Sequence, residues 1–317
     1  MYLSRGLVML ESLQKHCKKF HLYIFAFDQL CFDILKSLDL QNTTIISLKE
    51  FETKELLDIK PSRSKAEYCW TCTPSTIWHV LKTFNVPNCT YIDADLQFFS
   101  DPSVLIEEMN DAHKSVLITE HRFSKIPELY EKKRGGRFCV QFMTFLNEPA
   151  SLAVLQRWKD QCIEWCYARY EDGKFGDQKY LDVWPEIYKN VHILEHQGGG
   201  LAPWNADQYR FQMINNKLSG MTKKNKFAFE PVFYHFQYVK FLSENRFDIG
   251  WYLLSQELVS NFYHPYLKRV VETEHMLNRH NNEYKTVFAG LPKDGNFKGL
   301  IKLIIKRFFK YNILKLS

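Results

Sequence analysis

The chain has 317 residues, 45% hydrophobic and 25% charged, and its 42 basic and 36 acidic side chains leave a net charge of +6. This composition is typical of one large or two small folded domains and excludes a disordered chain. No apolar run could span a bilayer and the first 30 residues lack the order of a signal peptide, so we expect a cytoplasmic protein.

The eight cysteines are expected to be reduced thiols, because a disulfide framework belongs to short secreted chains. Cys69 and Cys72 form a lone CxxC. A zinc site would need a second such pair, and Cys162 and Cys166, four residues apart, are not a standard one. Buried free thiols are therefore favoured over zinc.

The first fifty residues alternate between helical and strand patterns. Apolar positions at helical spacing predict a helix over residues 2–18 and another over 31–38, while residues 21–27 and 43–48 are typical of strands. This alternation predicts a parallel, doubly wound sheet.

A basic and aromatic segment precedes a helix predicted over residues 74–84, where proline suits the first helical turn. The segment carries Arg63, Lys65, Tyr68 and Trp70. Basic groups beside a helix start are well placed for phosphate contact. The alternative is a solvated basic loop that leads into an aromatic helix face.

Two carboxylates, Asp93 and Asp95, end the apolar run that starts at Thr90, and turn residues follow at 100–102. Ligands of open α/β sheets bind at the carboxyl ends of the strands. Neighbouring carboxylates repel each other unless a cation or a shared proton relieves them. Mg²⁺ and Mn²⁺ prefer oxygen ligands and usually complete their shell with substrate phosphates. The pair therefore predicts a metal that holds a diphosphate, and two acids in a surface turn are the alternative.

The middle of the chain continues the alternation. We expect helices over 102–110 and 149–169, strands over 115–122 and 137–146, the second buried on both faces, and a mobile loop over 123–134. Asp177 follows Gly176 and opens a further helix, where it could simply be an N-cap.

Three consecutive glycines, at 198–200, follow a strand that starts at Val191 and precede Asn205. They allow unusual backbone angles and the close approach of a ligand. A later strand ends at His235, which we favour over His196 as a metal ligand. A satisfied core histidine is the alternative.

The block from Tyr91 to Asp95, with the Phe-Phe-Ser-Asp-Pro that follows, resembles the DxD motif of GT-A-fold glycosyltransferases, closest to the family 8-like nucleotide-diphospho-sugar transferases. The segment opened by Asp177 and Gln178 resembles in part the family's Asp-Gln-Asp-x-Leu-Asn block. The segment from His235 to Lys240 resembles in part its His-x-x-Gly-x-x-Lys-Pro-Trp segment, although Lys240 stands one residue early and no Pro-Trp follows.

The resemblance implies an α/β fold: a GT-A-like doubly wound, mixed and mainly parallel sheet flanked by helices over residues 1–245. A helical extension over 246–295 and a basic amphipathic tail over 296–317 would follow. Family members also have a strand before the first helix whose end contacts the nucleotide base. We expect that strand to be missing from this sequence.

The implied activity is the metal-dependent transfer of a sugar, with retention, from a nucleoside diphosphate to a hydroxyl of a glycan or glycolipid. A UDP-sugar donor and a role in bacterial surface polysaccharide or lipopolysaccharide synthesis are favoured. Mn²⁺ or Mg²⁺ would be bound by Asp93, Asp95 and His235, and Asp177 and Gln178 would be catalytic. The implied nucleotide-sugar-binding residues are Arg63, Lys65, Tyr68, Trp70, Asp93, Ala94, Gly199, Gly200, Asn205 and Lys240.

Rival classes remain open. A sugar-1-phosphate nucleotidyltransferase would carry a Gly-rich basic loop after its first strand, and an Asp-x-Asp phosphatase would carry its acids near the chain start. Neither pattern is found in the sequence. A catalytically silent, membrane-associated scaffold of the same fold is a further alternative.

The final 22 residues, 296–317, contain six basic side chains and no acidic one. Such a basic amphipathic segment predicts a helix at an anionic membrane surface, with a partner-binding helix as the alternative. Nucleic-acid binding is not expected, because no other basic face is found. The predicted face carries Lys298, Lys302, Lys306 and Lys310.

Overall fold

The computed structural model describes residues 2–215, 217–289, 304, 306 and 308–316. Its helices are α1 (Leu3–His16), α2 (Gln29–Ser37), α3 (Leu48–Phe51), α4 (Lys54–Ile59), α5 (Lys65–Thr83), α6 (Ser103–Asp111), α7 (Lys125–Gly135), α8 (Pro149–Glu164), α9 (Trp184–Ile187), α10 (Gln256–Leu258) and α11 (His264–His280). Its strands are β1 (Leu22–Ala26), β2 (Thr43–Ser47), β3 (Asn88–Ile92), β4 (Leu96–Phe98), β5 (Val116–Glu120), β6 (Phe138–Leu146), β7 (Val191–Ile193), β8 (Tyr209–Ile214), β9 (Lys217–Thr222), β10 (Ala228–Phe229), β11 (Phe233–His235), β12 (Lys240–Ser243), β13 (Arg246–Asp248) and β14 (Ile313–Lys315).

The alternation predicted for the first fifty residues is confirmed. β1 and β2 pair in parallel, with Leu22 opposite Thr43. Successive side chains of a strand point to opposite faces. Accordingly, Phe25 of β1 packs in a cluster with residues of α5, while Ala26 packs with residues of α1 and α2.

The central sheet has the strand order β3-β6-β5-β7. β6 is antiparallel to both β3 and β5, whereas β7 is parallel to β5. The α/β class and the mixed sheet are thus confirmed. Antiparallel pairs are more numerous than the alternation predicts. β5 and β6, for example, are antiparallel because the segment that connects them begins and ends at the same end of the sheet.

Helices and a short strand pair cover both faces of this sheet. One face packs against α5 and α8, and the other against α1, α6 and the β4–β11 pair. Eight of the nine residues of β6 are therefore buried, which confirms the strand predicted to be buried on both faces. This layering fixes the end of β3, where Asp93 and Asp95 follow.

Two predicted segments are wrong. α5 begins at Lys65 rather than Pro74, because Ser64 and Glu67 form a capping box and Pro74 is accommodated inside the helix. Residues 125–135, expected as part of a loop, form α7. Glu128 in its first turn and three basic residues in its last turn suit the helix dipole.

One aromatic core spans the residue 245 boundary that the sequence predicted. It joins Val8 and Tyr234 to Phe262, Tyr263 and Tyr266. The tail predicted as an amphipathic helix is wrong at its described end, where residues 313–315 form β14 because they pair with β13. Among the described helices, none is both long enough and apolar enough to cross a membrane.

Candidate metal centre

Asp93 and Asp95 lie in a turn between β3 and β4. The backbone N–H of Asp93 donates to the carbonyl oxygen of Gln141 at 3.1 Å, and the N–H of Leu96 donates to that of Asp93 at 3.3 Å. The carbonyl oxygen of Asp95 accepts from the N–H of Phe236 at 2.9 Å. The turn is thus fixed between β6 on one side and the end of β11 on the other.

His235 ends β11 opposite Leu96 of β4. Its Nε2 lies 3.1 Å from Oδ1 of Asp95 and 3.6 Å from Oδ2 of Asp93. The ligand atoms of the three residues all lie within 4.8 Å of one another. The structure therefore brings together the three predicted metal ligands from two distant parts of the chain.

Gln141 of β6 orients the His235 ring. Its Oε1 lies 2.8 Å from Nδ1 of His235. An amide oxygen can only accept, so Nδ1 carries the proton, and a neutral ring then presents its Nε2 lone pair to the two carboxylates. The indole of Trp204 packs edge-on to the same imidazole, with ring centroids 5.4 Å apart.

The glycine loop at 198–200 and Leu201 after it accept hydrogen bonds from the segment that ends at His235. The His235 N–H donates to the carbonyl oxygen of Leu201 at 2.8 Å, and the Val232 N–H donates to that of Gly198 at 2.9 Å. Gly200 has φ +76°, and a Cβ there would lie 2.7 Å from Thr119 Cγ2. Gly200 thus permits the close approach of a neighbouring side chain, and the predicted approach of a ligand stays a prediction.

The charges of the three residues are strongly coupled. Burial raises the pKa of Asp93 to about 6, against the opposing attraction of His235. Burial alone would also raise the pKa of Asp95, but His235 lowers it overall. Burial disfavours the charged imidazole, yet Asp95 and Asp93 raise the pKa of His235 well above its usual value. The two acids therefore attract positive charge, here a proton on His235.

This donor set fits a divalent cation. Two carboxylates and one imidazole nitrogen suit Mn²⁺, and the oxygens also suit Mg²⁺. Three protein ligands leave further coordination positions for water or phosphate oxygens. Metal binding requires a neutral His235, so an ion would replace the proton that this ring now shares with the carboxylates.

Asp177 interacts electrostatically with the predicted metal ligand Asp93. Burial, and after it the charge of Asp93, raises the pKa of Asp177 to about 7. The Tyr91 hydroxyl donates to Oδ1 of Asp93 at 2.9 Å and is also influenced by the charge of Asp177. Trp70 packs against Gly176, directly before Asp177. The Gln178 side chain donates to the carbonyl oxygen of Gly135.

The two basic residues predicted to contact the diphosphate, Arg63 and Lys240, each lie over a tyrosine ring. The Arg63 guanidinium stacks 3.9 Å from the ring centroid of Tyr167, and its Nη2 donates to the carbonyl oxygen of Ile163 at 3.2 Å. Nζ of Lys240, at the exposed start of β12, lies 4.5 Å from the ring centroid of Tyr238. Arg63 thus joins the start of α5 to the end of α8.

Three further predicted nucleotide-sugar-binding residues lie outside the metal cluster. The Tyr68 hydroxyl donates to Glu52 at 2.7 Å within a buried cluster. Asn205 is fully buried, and its Nδ2 donates to the carbonyl oxygen of His121 at 2.8 Å. Lys65 is the exposed first residue of α5. The structure does not bring these side chains into the Asp93–Asp95–His235 cluster.

Sequence reasoning missed Arg5, Gln141 and Trp204. Arg5 and Gln141 carried a signal, because each is a polar residue at a position that the pattern buries. Arg5 lies four residues before Met9 on the buried face of α1, and Gln141 interrupts an apolar strand. Trp204 carried none beyond its large apolar ring.

No family model matches the chain. "Uncharacterized protein YfnD" of Bacillus subtilis (strain 168) is 32% identical over 267 residues, which cover 82% of each chain. The protein therefore belongs to the same family as YfnD. "Uncharacterized protein YfnF" of that strain is 29% identical over 255 residues, 77% of this chain and 80% of YfnF. Among solved structures, apo mouse xyloside xylosyltransferase 1 matches 75% of this chain and 93% of its own, with TM-score 0.44 and 15% identity.

Replacement Gln141→Leu removes the acceptor that orients His235, so we expect metal affinity to fall about 10- to 100-fold. Isothermal titration with MnCl₂ measures this. Gln141→Glu keeps an acceptor and should bind within a few-fold of wild type. Unchanged affinity in the folded Leu variant would contradict the orienting role.

Replacement Asp177→Asn tests the burial of this carboxyl. Its folded pKa of about 7 exceeds the ordinary 3.8, so the wild type loses stability as pH rises from about 4 to about 7. Asn cannot ionise. In metal-free protein the variant should therefore melt higher than wild type at pH 8, with a smaller difference at pH 5. Equal differences at both pH values, as expected for the exposed control Asp111→Asn, would be the contrary result.

Proposed function

We propose that the protein is a metal-dependent glycosyltransferase that moves a sugar from a nucleoside diphosphate to a hydroxyl group. The observation that carries this proposal is the convergence of Asp93, Asp95 and His235 at the end of β3, with ligand atoms within 4.8 Å of one another. A divalent ion held on one side by protein ligands suits the binding of a diphosphate on the other. The GT-A fold is the one implied by the DxD resemblance.

Each side chain of the site has a separate task. Asp95 and His235 would hold the ion, and Asp93 would contact both the ion and the donor. When bound, such an ion supplies Lewis-acid stabilisation of the leaving diphosphate. Asp177 would orient the donor sugar or the attacking hydroxyl. The Gln178 amide donates to Gly135, which leaves its second N–H and its carbonyl oxygen for a sugar hydroxyl.

The finer assignments extend the resemblance. They are a UDP-sugar donor, Mn²⁺ as the ion, retention of the anomeric configuration and a glycan or glycolipid acceptor in bacterial surface polysaccharide synthesis. The mixed donor set of two oxygens and one nitrogen supports Mn²⁺ over Mg²⁺.

A ligand that binds only the folded state raises the melting temperature. We expect UDP-sugars to stabilise the wild-type protein in MnCl₂ but not in EDTA, and the Asp95→Asn variant in neither. The exposed control Asp160→Asn should behave like the wild type. Differential scanning fluorimetry over a panel of nucleotide sugars measures this.

Stabilisation that persists in EDTA, or in Asp95→Asn, would contradict the proposal. Folded protein that binds no nucleotide sugar would instead support the scaffold alternative. Formation of a nucleotide sugar from a sugar 1-phosphate and a nucleoside triphosphate would support a nucleotidyltransferase.

We also propose that the protein is cytoplasmic and binds the inner face of the membrane through its C-terminal tail. Lys298 and Lys302 lie outside the described residues. Lys306 is not free for lipid, because its Nζ donates to Asp248 at 2.6 Å and lies over the Trp251 ring. Two exposed aromatic residues support the proposal, Phe308 (75%) and Phe309 (77%), since aromatic rings next to basic residues favour an anionic interface.

The double variant Phe308→Ala/Phe309→Ala should lose most co-sedimentation with phosphatidylglycerol vesicles, because it removes the exposed rings. The control Ile126→Ala/Leu129→Ala, which removes exposed apolar side chains of α7, should sediment like the wild type. Equal sedimentation of the tail variant and the wild type would refute tail-mediated binding.

A further inference from the structure

A buried arginine lies against the metal centre and takes no part in the roles described above. Arg5, in the first turn of α1, is only 3% exposed. The residue after it, Gly6, approaches the middle residue of the Asp-x-Asp turn: a Cβ on Gly6 would lie 3.8 Å from Cβ of Ala94. The start of α1 therefore packs directly on the turn that holds the two acids.

The guanidinium of Arg5 contacts the segment after His235. Its Nη2 donates to the carbonyl oxygen of Val239 at 2.5 Å. Its Cζ lies 5.0 Å from the ring centroid of Tyr2, which is 52% exposed. Arg5 thus joins the start of α1, which packs on the Asp-x-Asp turn, to the segment that follows the third predicted ligand.

Arg5 also has unused hydrogen-bonding capacity. Its Nε is buried and has no partner among the described residues. A guanidinium has five N–H donors in a planar fork, and leaving a buried donor unpaired is costly. This fork matches the oxygens of a phosphate group, so a phosphate ligand would satisfy donors that the protein leaves open.

The charges point the same way. Once an ion replaces the proton on His235, the two carboxylates balance the two charges of the ion. The ion together with Asp93, Asp95, His235 and Arg5 then carries one net positive charge, which attracts a diphosphate. Arg63 and Lys240, which the sequence suggested for this task, contact Tyr167 and Tyr238.

We propose that Arg5 binds the diphosphate of the donor and stabilises the negative charge that the diphosphate gains as it leaves. This inference rests on the proposed function and names a residue that the resemblance did not imply. Asp93, Asp95 and His235 would hold the ion, and the Arg5 guanidinium would donate to oxygens of the diphosphate.

The test uses the intact protein, MgCl₂ and inorganic pyrophosphate, so that the unknown base and sugar do not matter. Hydrogen bonds between charged partners are stronger than those between neutral ones, so Arg5→Met should weaken pyrophosphate binding about 10- to 100-fold in isothermal titration. Arg5→Lys keeps the charge and should recover part of the affinity. The matched controls Arg63→Met and Lys240→Met should bind within about threefold of wild type.

Orthophosphate and metal binding separate a ligand contact from a structural one. Arg5→Met should bind MgCl₂ alone as the wild type does, and its orthophosphate affinity should fall less than its pyrophosphate affinity. Wild-type pyrophosphate affinity in folded Arg5→Met, or parallel loss of metal binding, would overturn the inference.

The Asp95→Asn variant separates a failure of the role proposed for Arg5 from a failure of the proposed metal-dependent function. Pyrophosphate binding lost in Arg5→Met but kept in Asp95→Asn would support Arg5 and contradict the metal-dependent function. Pyrophosphate binding lost in Asp95→Asn but kept in Arg5→Met would support the metal-dependent function and contradict the role of Arg5. A wild-type protein that binds no pyrophosphate would overturn both.

Discussion

The structure depends on how the repulsion between two neighbouring carboxylates is relieved. Asp93 and Asp95 are separated by one residue, and their side chains are 29% and 8% exposed. Two negative charges at this distance in a poorly hydrated site cannot both persist without positive charge nearby. His235 supplies it from β11, and Arg5 adds a second positive group from α1. Both lie where a divalent ion and its phosphate ligand would also be stabilised.

The surrounding fold keeps these groups close through contacts from several segments. The β4–β11 pair sets His235 opposite Leu96, and the carbonyl oxygen of Leu201, directly after the glycine loop, accepts from the His235 N–H. Gln141 then fixes the ring from β6. Each support comes from a different segment of the chain. The site is therefore prearranged by the sheet and its packing rather than by a local motif.

Local patterns predicted a substantial part of this arrangement. The acids were recognisable because they follow an apolar strand directly, and His235 because it ends another. The start of α5 was misplaced because one local signal overrides another: Pro74 suggested a helix start, but the capping box at Ser64 sets it. The neighbours of the glycines, Thr119 and Leu194, could not be read from the pattern. The contact of these glycines with a ligand and the absence of a strand before α1 stay predictions.

The central claim is that Asp93, Asp95 and His235 hold a divalent ion that in turn binds a diphosphate. Anomalous diffraction at the manganese absorption edge, from crystals grown with MnCl₂ and UDP, tests it most directly. The account predicts an anomalous peak within about 2.0–2.4 Å of Asp95 and His235 atoms, with phosphate oxygens completing the coordination. A peak elsewhere, or UDP bound in this cleft with no ion between it and the two acids, would contradict it.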